Sequence, residues 1–233
     1  MRAVCCRYWI EPGEPDLQDI IEKLYRSPLL RRQMASKASK VSEALQASKA
    51  FKVVTSGEVR PTDIVPVLAP NGKGEQAVFP MKWGYTGRSL LINARTETAA
   101  EKPMFREGWQ RHRCIVPSSG YFEWEHFTDG NGKKRTGKKF RIRSSESRVT
   151  WLCGLYRIED GFPHFVILTR EPGESIRFIH DRMPLVLPEG KAQDWIRPGA
   201  DQDKLLESAL TDLEYQDAKI PEIDDADEKG RLD

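Results

Sequence analysis

The sequence predicts an α+β fold, a single domain resting mainly on an antiparallel, twisted or barrel-like β-sheet flanked by helices. Three observations predict it. Short apolar runs recur between Gly, Pro and Asn turn signals from residue 64 to residue 169. They follow one another closely, which suits strands joined by turns better than the strand–helix–strand units of a parallel sheet. Helical periodicity is confined to a few segments before, between and after them. A length of 233 residues favours one domain, or one and a half.

Each element has a local reason. Residues 16–25 (DLQDIIEKLY) set Leu17, Ile20, Ile21 and Leu24 at helical spacing, an amphipathic helix that Pro28 interrupts. From 29 to 50 the chain is rich in Ser, Ala and Lys, with Arg31, Arg32, Lys37, Lys40 and Lys49 against Glu43 alone. This segment reads as a second, basic helix, with a mobile arm as the alternative. IVPVLAP and QAVFPMKWGY around NGKG form a hairpin pattern with Gly in the connection. A helix is expected over 99–111. Strands follow at CIVPSSGYFEWEHF, KKFRIR, VTWLCGLY and HFVILT, with a DGNG turn at 129–132, and helical pieces lie at 189–196 and 203–210. The expected division is a domain over 1–210, with the basic helical insertion at about 29–50, and an acidic, disordered tail over 211–233. From about Ile220 that tail has too little apolar surface to fold.

Composition excludes several classes. Hydrophobic residues make up 39% and charged residues 31%, and no apolar stretch approaches the roughly 18 residues of a membrane helix. The opening MRAVCCRYWIEPGEP has no apolar core of a secretory signal, so a cytoplasmic protein away from membranes is expected. Four cysteines, two adjacent, do not make a disulfide framework, and no Cys-x-x-Cys or His/Cys cluster has zinc spacing. No metal and no cofactor are expected. Residues 201–233 hold 12 acidic against 4 basic groups, leaving 33 basic against 23 acidic in residues 1–200. A basic body points to a polyanionic partner, nucleic acid first, although scattered surface Lys and Arg would give the same balance.

Chemistry is sought where polar residues interrupt apolar text. In LLINARTETAA, Asn93, Arg95 and Glu97 alternate and share one face of an extended segment, as solvent-facing residues of a half-buried strand also would. In SGYFEWEHF, Glu123 lies between Phe122 and Trp124; a carboxylate among aromatics is a candidate acid or base, while alternation with Tyr121 and Glu125 would place it outward. In FIHDRMPLVLP, His180, Asp181 and Arg182 form a polar turn, and histidine is the side chain that changes charge near neutrality. His112, His126 and His164 have no comparable setting. Cys5, in Cys5-Cys6-Arg7-Tyr8, has little packing rationale, and the neighbouring cation favours a nucleophilic thiolate, whereas Cys114 and Cys153 read as buried packers.

In combination and in this order, Cys5-x-Arg7-Tyr8, Trp83-Gly84, LINARTET, GYFEW and IHDRMP resemble the SOS response-associated peptidase family, from about Cys5 to Pro188. The resemblance implies that family's fold and a protein of the DNA-damage response. Its members bind single-stranded DNA and cross-link to abasic sites through an N-terminal cysteine, exposed by self-processing, whose amine and thiol close a thiazolidine on the sugar aldehyde. By motif, the resemblance implies that Cys5 is the reacting cysteine, Asn93 orients it, Glu123 handles protons and His180 assists ring closure and release. It implies that Arg7, Arg95 and Arg182 lie along DNA phosphates, and that Trp83, Trp124 and Pro61 face the bases at a bend in the strand. An abasic-site-processing lyase and autopeptidase, bacterial, cytoplasmic and monomeric, with abasic single-stranded DNA as partner, is therefore expected.

The chain also departs from that pattern. Met1-Arg2-Ala3-Val4 precede Cys5, whose α-amine is then in a peptide bond. Self-removal of the extension, a translation start at Val4, or loss of cross-linking would each account for this; the start at Val4 is favoured. Cys6 stands where the family has Gly, and Glu58 where it has Asn. Two other readings stay open: a cysteine-dependent peptidase built on Cys5, His180 and Asn93, and a non-catalytic single-stranded nucleic-acid binder.

Overall fold

The structure, a computed structural model, describes residues 6–38 and 52–218. The first element is a strand, β1 (Arg7–Ile10), and α1 (Pro15–Tyr25) follows with Pro at its first turn, where the missing N–H costs no intrahelical bond. Its apolar stripe, Leu17, Ile20, Ile21 and Leu24, is buried as its spacing predicts. Pro28 does not simply end that helix; it opens the next, α2 (Pro28–Ala38). The remainder of the expected 29–50 helix, from 39 on, lies outside the described residues.

Next come β2 (Gly57–Val59), β3 (Ile64–Pro70), β4 (Gln76–Trp83), β5 (Asn93–Arg95), α3 (Thr96–Ala99) and α4 (Pro103–Arg111). β6 (Arg113–Ser118), β7 (Gly120–Thr128), β8 (Lys134–Ser144), β9 (Thr150–Glu159) and β10 (Phe162–Arg170) supply most of the sheet. A 3-10 turn (Glu174–Ile176), β11 (Met183–Pro184), β12 (Val186–Leu187), α5 (Glu189–Trp195), α6 (Gln202–Glu207) and β13 (Leu213–Asp217) complete it.

The strands form a closed barrel and an open sheet. In the barrel, β4, β3, β6, β9 and β10 are successive neighbours, and β10 returns to β4 through the short parallel pairing His164↔Lys82 and Phe165↔Trp83. All other barrel pairings are antiparallel. Closure removes the edges that an open sheet would leave unpaired. The open sheet runs β13-β8-β7-β1-β2, antiparallel throughout. The barrel-like antiparallel expectation is met, with helices on the outside.

Four local expectations need correction. The helix expected over 99–111 begins only at Pro103, with Ala99 ending α3, because Lys102, ahead of Pro103, is extended (φ −68°, ψ 125°) as the proline ring requires of its predecessor. CIVPSSGYFEWEHF is two strands in different sheets. The chain turns at Gly120 (φ 145°), where a Cβ would come within 2.3 Å of the Trp9 ring and 2.5 Å of the Ile142 carbonyl oxygen, so only glycine fits. Glu97 does not continue the Asn93–Arg95 strand but sits in α3. Residues 213–217, placed by the sequence in the disordered tail, pair with β8 from Leu213↔Ser144 to Asp217↔Phe140. Residues 219–233 lie outside the described residues.

Candidate active site

A cleft of about 790 Å³ opens where the barrel meets the open sheet. β5 forms one wall by parallel pairing with β10, Asn93 opposite Ile167 and Arg95 opposite Thr169. Asn93 lines the cleft, and among the described residues neither its buried amide oxygen nor its buried amide nitrogen has a hydrogen-bond partner. Burying an amide without partners is costly, so this side chain suits a group that enters from outside. Arg95 is exposed on the same wall.

The facing wall comes from β7 and from the loop after the 3-10 turn. The His126 N–H donates to the Ile179 carbonyl at 3.1 Å, which clips that loop to β7 and brings the His126 and His180 rings to 5.1 Å between centroids. His180 is 7% exposed; its Nδ1 accepts from the Arg182 N–H at 3.0 Å and lies 2.9 Å from Asp181 Oδ1. Burial lowers the His180 pKa below the ordinary 6.5, with nearby His126 adding to the effect and Asp181 opposing it. Glu123 is 3% exposed, and the Trp124 N–H donates to its Oε1 at 3.1 Å. It therefore points inward, and the outward alternation with Tyr121 and Glu125 is not what the fold adopts.

Glu123 and His126 are three apart, so regular pleating would send them to opposite faces. Between Trp124↔Lys139 and His126↔Thr136 the register shifts, with Gly137 and Lys138 of β8 opposing Glu125 alone. Such an irregularity bends and twists the pair. Glu123, His126 and His180 end with ligand atoms within 4.8 Å of one another.

Cys5 lies outside the described residues. Cys6, half-buried, has its thiol pKa raised by burial and by the charge of Glu123, with Arg7 acting against both. Cys6 thus marks the end of β1 as the neighbour of Glu123. Arg7 pairs with Glu58 and lies 5.8 Å from the Trp124 ring centroid. Arg182 faces the cleft but is engaged: its two terminal nitrogens bind both oxygens of Glu97 at 2.7 and 2.8 Å, and one donates to the Thr169 carbonyl at 2.7 Å. Trp124 is half-buried beside Arg7 and Lys139, and Pro61 is half-buried in the turn between β2 and β3. Trp83 corrects the sequence reading: it is 0% exposed, stacked on Phe165 and bonded through Nε1 to the Ile92 carbonyl, so it is a core residue with no face for a base.

The SOS response associated peptidase family model matches residues 6–226. The chain belongs to this family. The abasic site processing protein YoaM of Bacillus subtilis is 32% identical over 138 residues, covering 57% of this chain and 59% of YoaM. YedK of Escherichia coli, also an abasic site processing protein, is 34% identical over 128 residues, 51% of this chain and 54% of its own. The matches thus span little more than half the length of these relatives. A phage-related protein of Bordetella bronchiseptica has the same fold, with a TM-score of 0.64 at 19% identity over 93% of this chain and 95% of that one. A Bacteroides thetaiotaomicron protein aligns with a TM-score of 0.58 at 22% identity over 80% and 88%.

Within this SOS response associated peptidase fold, sequence reasoning missed His126, Lys139 and the cleft cations Lys134 and Arg135. The basic run KKRTGKK at 133–139 was the available signal for the last three. His126 carried none, because period-two alternation sets it opposite Glu123.

Proposed function

We propose that this protein processes abasic sites in single-stranded DNA, linking covalently to the open-chain sugar through Cys5 once that residue is N-terminal. The observation that carries the reading is the pairing of buried Glu123 with His180 beside the unpartnered amide of Asn93, in a cleft edged by Arg95, Lys134 and Arg135. Family membership and relatives named as abasic site processing proteins support the same substrate class.

The chemistry follows from the groups available. The α-amine of Cys5, with a reference pKa of about 7.7–8.0, is partly uncharged at neutral pH and adds to the aldehyde carbon. Loss of water gives an imine, a step that needs an acid to protonate the departing oxygen. The thiol then adds to the imine carbon, sulfur bonding to carbon and the thiol proton passing to nitrogen, which closes a five-membered ring. Both nucleophiles belong to one residue, so the second attack is intramolecular and gains a large effective concentration. Glu123 and His180 are the proton carriers in this reading, and Asn93 holds the N-terminal residue in line. Cys6 adjoins Cys5 by one peptide bond and feels the charge of Glu123, which supports that proximity. Arg95 and Arg7 would guide phosphates and Trp124 would stack on a base. Arg182 would act through Glu97.

The test is a denaturing gel of the protein with uracil-excised single-stranded DNA, accompanied by intact-mass measurement of the protein. A band that survives denaturation and disappears in Cys5→Ala is expected. No band from protein whose measured mass begins at Cys5 overturns the reading, and release of a peptide in trans that depends on Cys5 would favour a peptidase instead.

A further inference from the structure

Metal-ligating side chains meet beside the cleft with no sequence spacing to announce them. Glu123, His126 and His180 each offer one ligand atom, all within 4.8 Å of one another. Glu123 and His180 are buried, whereas His126 stands in the cleft wall and leaves the cluster open on that side. We propose that Glu123, His126 and His180 form a binding site for one divalent transition-metal ion of the zinc class, with its remaining coordination position facing the cleft.

The donor set decides the class. Two imidazoles and one carboxylate suit zinc and neighbouring first-row ions, while magnesium and calcium prefer oxygen alone. Zinc holds such ligands at about 2.0–2.2 Å, which places neighbouring ligand atoms about 3.4 Å apart in a tetrahedron. Closing the cluster from its present 4.8 Å spread asks for movements on the order of 1 Å at side-chain tips. His180 has the outer partner such a ligand needs. With Nε2 on the ion, the ring proton sits on Nδ1 and is donated to Asp181 Oδ1, 2.9 Å away, in exchange for the bond from the Arg182 N–H. The ion's charge would in turn offset a carboxylate that is 3% exposed.

An ion here occupies the lone pairs of Glu123 and His180, so, if the cross-linking reading above is right, zinc inhibits the reaction reversibly. The site itself is tested without DNA. Zinc chloride titrated into the full chain and followed by calorimetry should bind one ion per chain, and cobalt(II) should give visible d–d bands without thiolate charge transfer. His126→Asn, at a half-buried position, and Glu123→Gln should each weaken binding about 10-fold or more, while Cys6→Ser should not. No saturable uptake, uptake untouched by His126→Asn, or a thiolate band overturns the site. In the gel, zinc should reduce adduct yield and a chelator restore it; undiminished adduct at saturating zinc overturns the inhibition. Absence of adduct under every condition counts against the cross-linking reading and leaves the calorimetric result to decide the metal.

Discussion

Glu58 and Lys139 meet at 3.0 Å across a sheet in which β1 and β7 separate their strands. Lys139 reaches this point by lying over Phe122, 3.9 Å from its ring centroid, and Trp124, at 5.1 Å. The same carboxylate holds Arg7, and Arg60 approaches it at 3.2 Å. Burial alone would raise the Glu58 pKa, but hydrogen bonds from Arg7 and Lys139 hold it at about 2. An internal anion thus occupies Arg7, which the proposed function sets against a DNA phosphate, together with Lys139.

Glu58→Gln should free those cations. Affinity for single-stranded DNA is expected to rise, and the slope of log K against log salt to steepen by about 0.7 for each phosphate newly engaged. Fluorescence anisotropy across a salt series measures both. The linkage sign is that of a depressed carboxylate: its stabilisation is fully present above the ordinary 4.5 and is lost as pH falls through about 2. Urea midpoints of Glu58→Gln should therefore change less than the parent's over that interval.

Asn93→Ala should separate activity from stability. Its amide makes no hydrogen bond among the described residues, so removing it sacrifices none of theirs. Unfolding free energy should stay within about 1 kcal/mol of the parent, while adduct formation slows on the order of 100-fold through lost alignment. Denaturant melts and single-turnover gel assays read the two quantities.

His180 is held neutral by burial, its pKa lying below 6.5. Unfolding therefore takes up a proton as pH falls beneath 6.5, and the stability present above that value is lost as pH drops through the lower folded-state value. His180→Gln should remove this part of the acid dependence. It should also flatten the pH–rate profile of adduct formation, a readout that a purely structural role would leave unmoved.

The two tryptophans should diverge. Trp83→Ala, which empties a fully buried position between Tyr8 and Phe165, is expected to cost about 3–5 kcal/mol of stability. Trp124→Ala should instead weaken single-stranded DNA binding by about 1–3 kcal/mol, if a base stacks there. Chemical denaturation and DNA titration of both variants check the contrast.

Much of the fold was legible because its signals are local. The α1 stripe is read from Leu17, Ile20, Ile21 and Leu24, and the β3–β4 hairpin from two apolar runs around NGKG. The misses also have local causes with distant consequences. The corner at Gly120 depends on Trp9 and Ile142, remote in sequence, and β13 is acidic yet pairs with β8, where Arg143 holds Glu214 at 2.8 Å. Period-two reading failed at Glu123 and His126 because the register shift lies partly on the partner strand.

The sequence by itself determined the class of the fold, most strand and helix segments, and the motif residues Asn93, Glu123 and His180, since apolar periodicity, turn residues and short motifs are properties of neighbouring residues. Only the tertiary structure decided that Trp83 is core, that Glu58 occupies Arg7 and Lys139, that Glu97 holds Arg182, and that His126 joins Glu123 and His180. Those outcomes depend on which strands become neighbours, on barrel closure and on one register shift, and each is set by contacts between residues far apart along the chain.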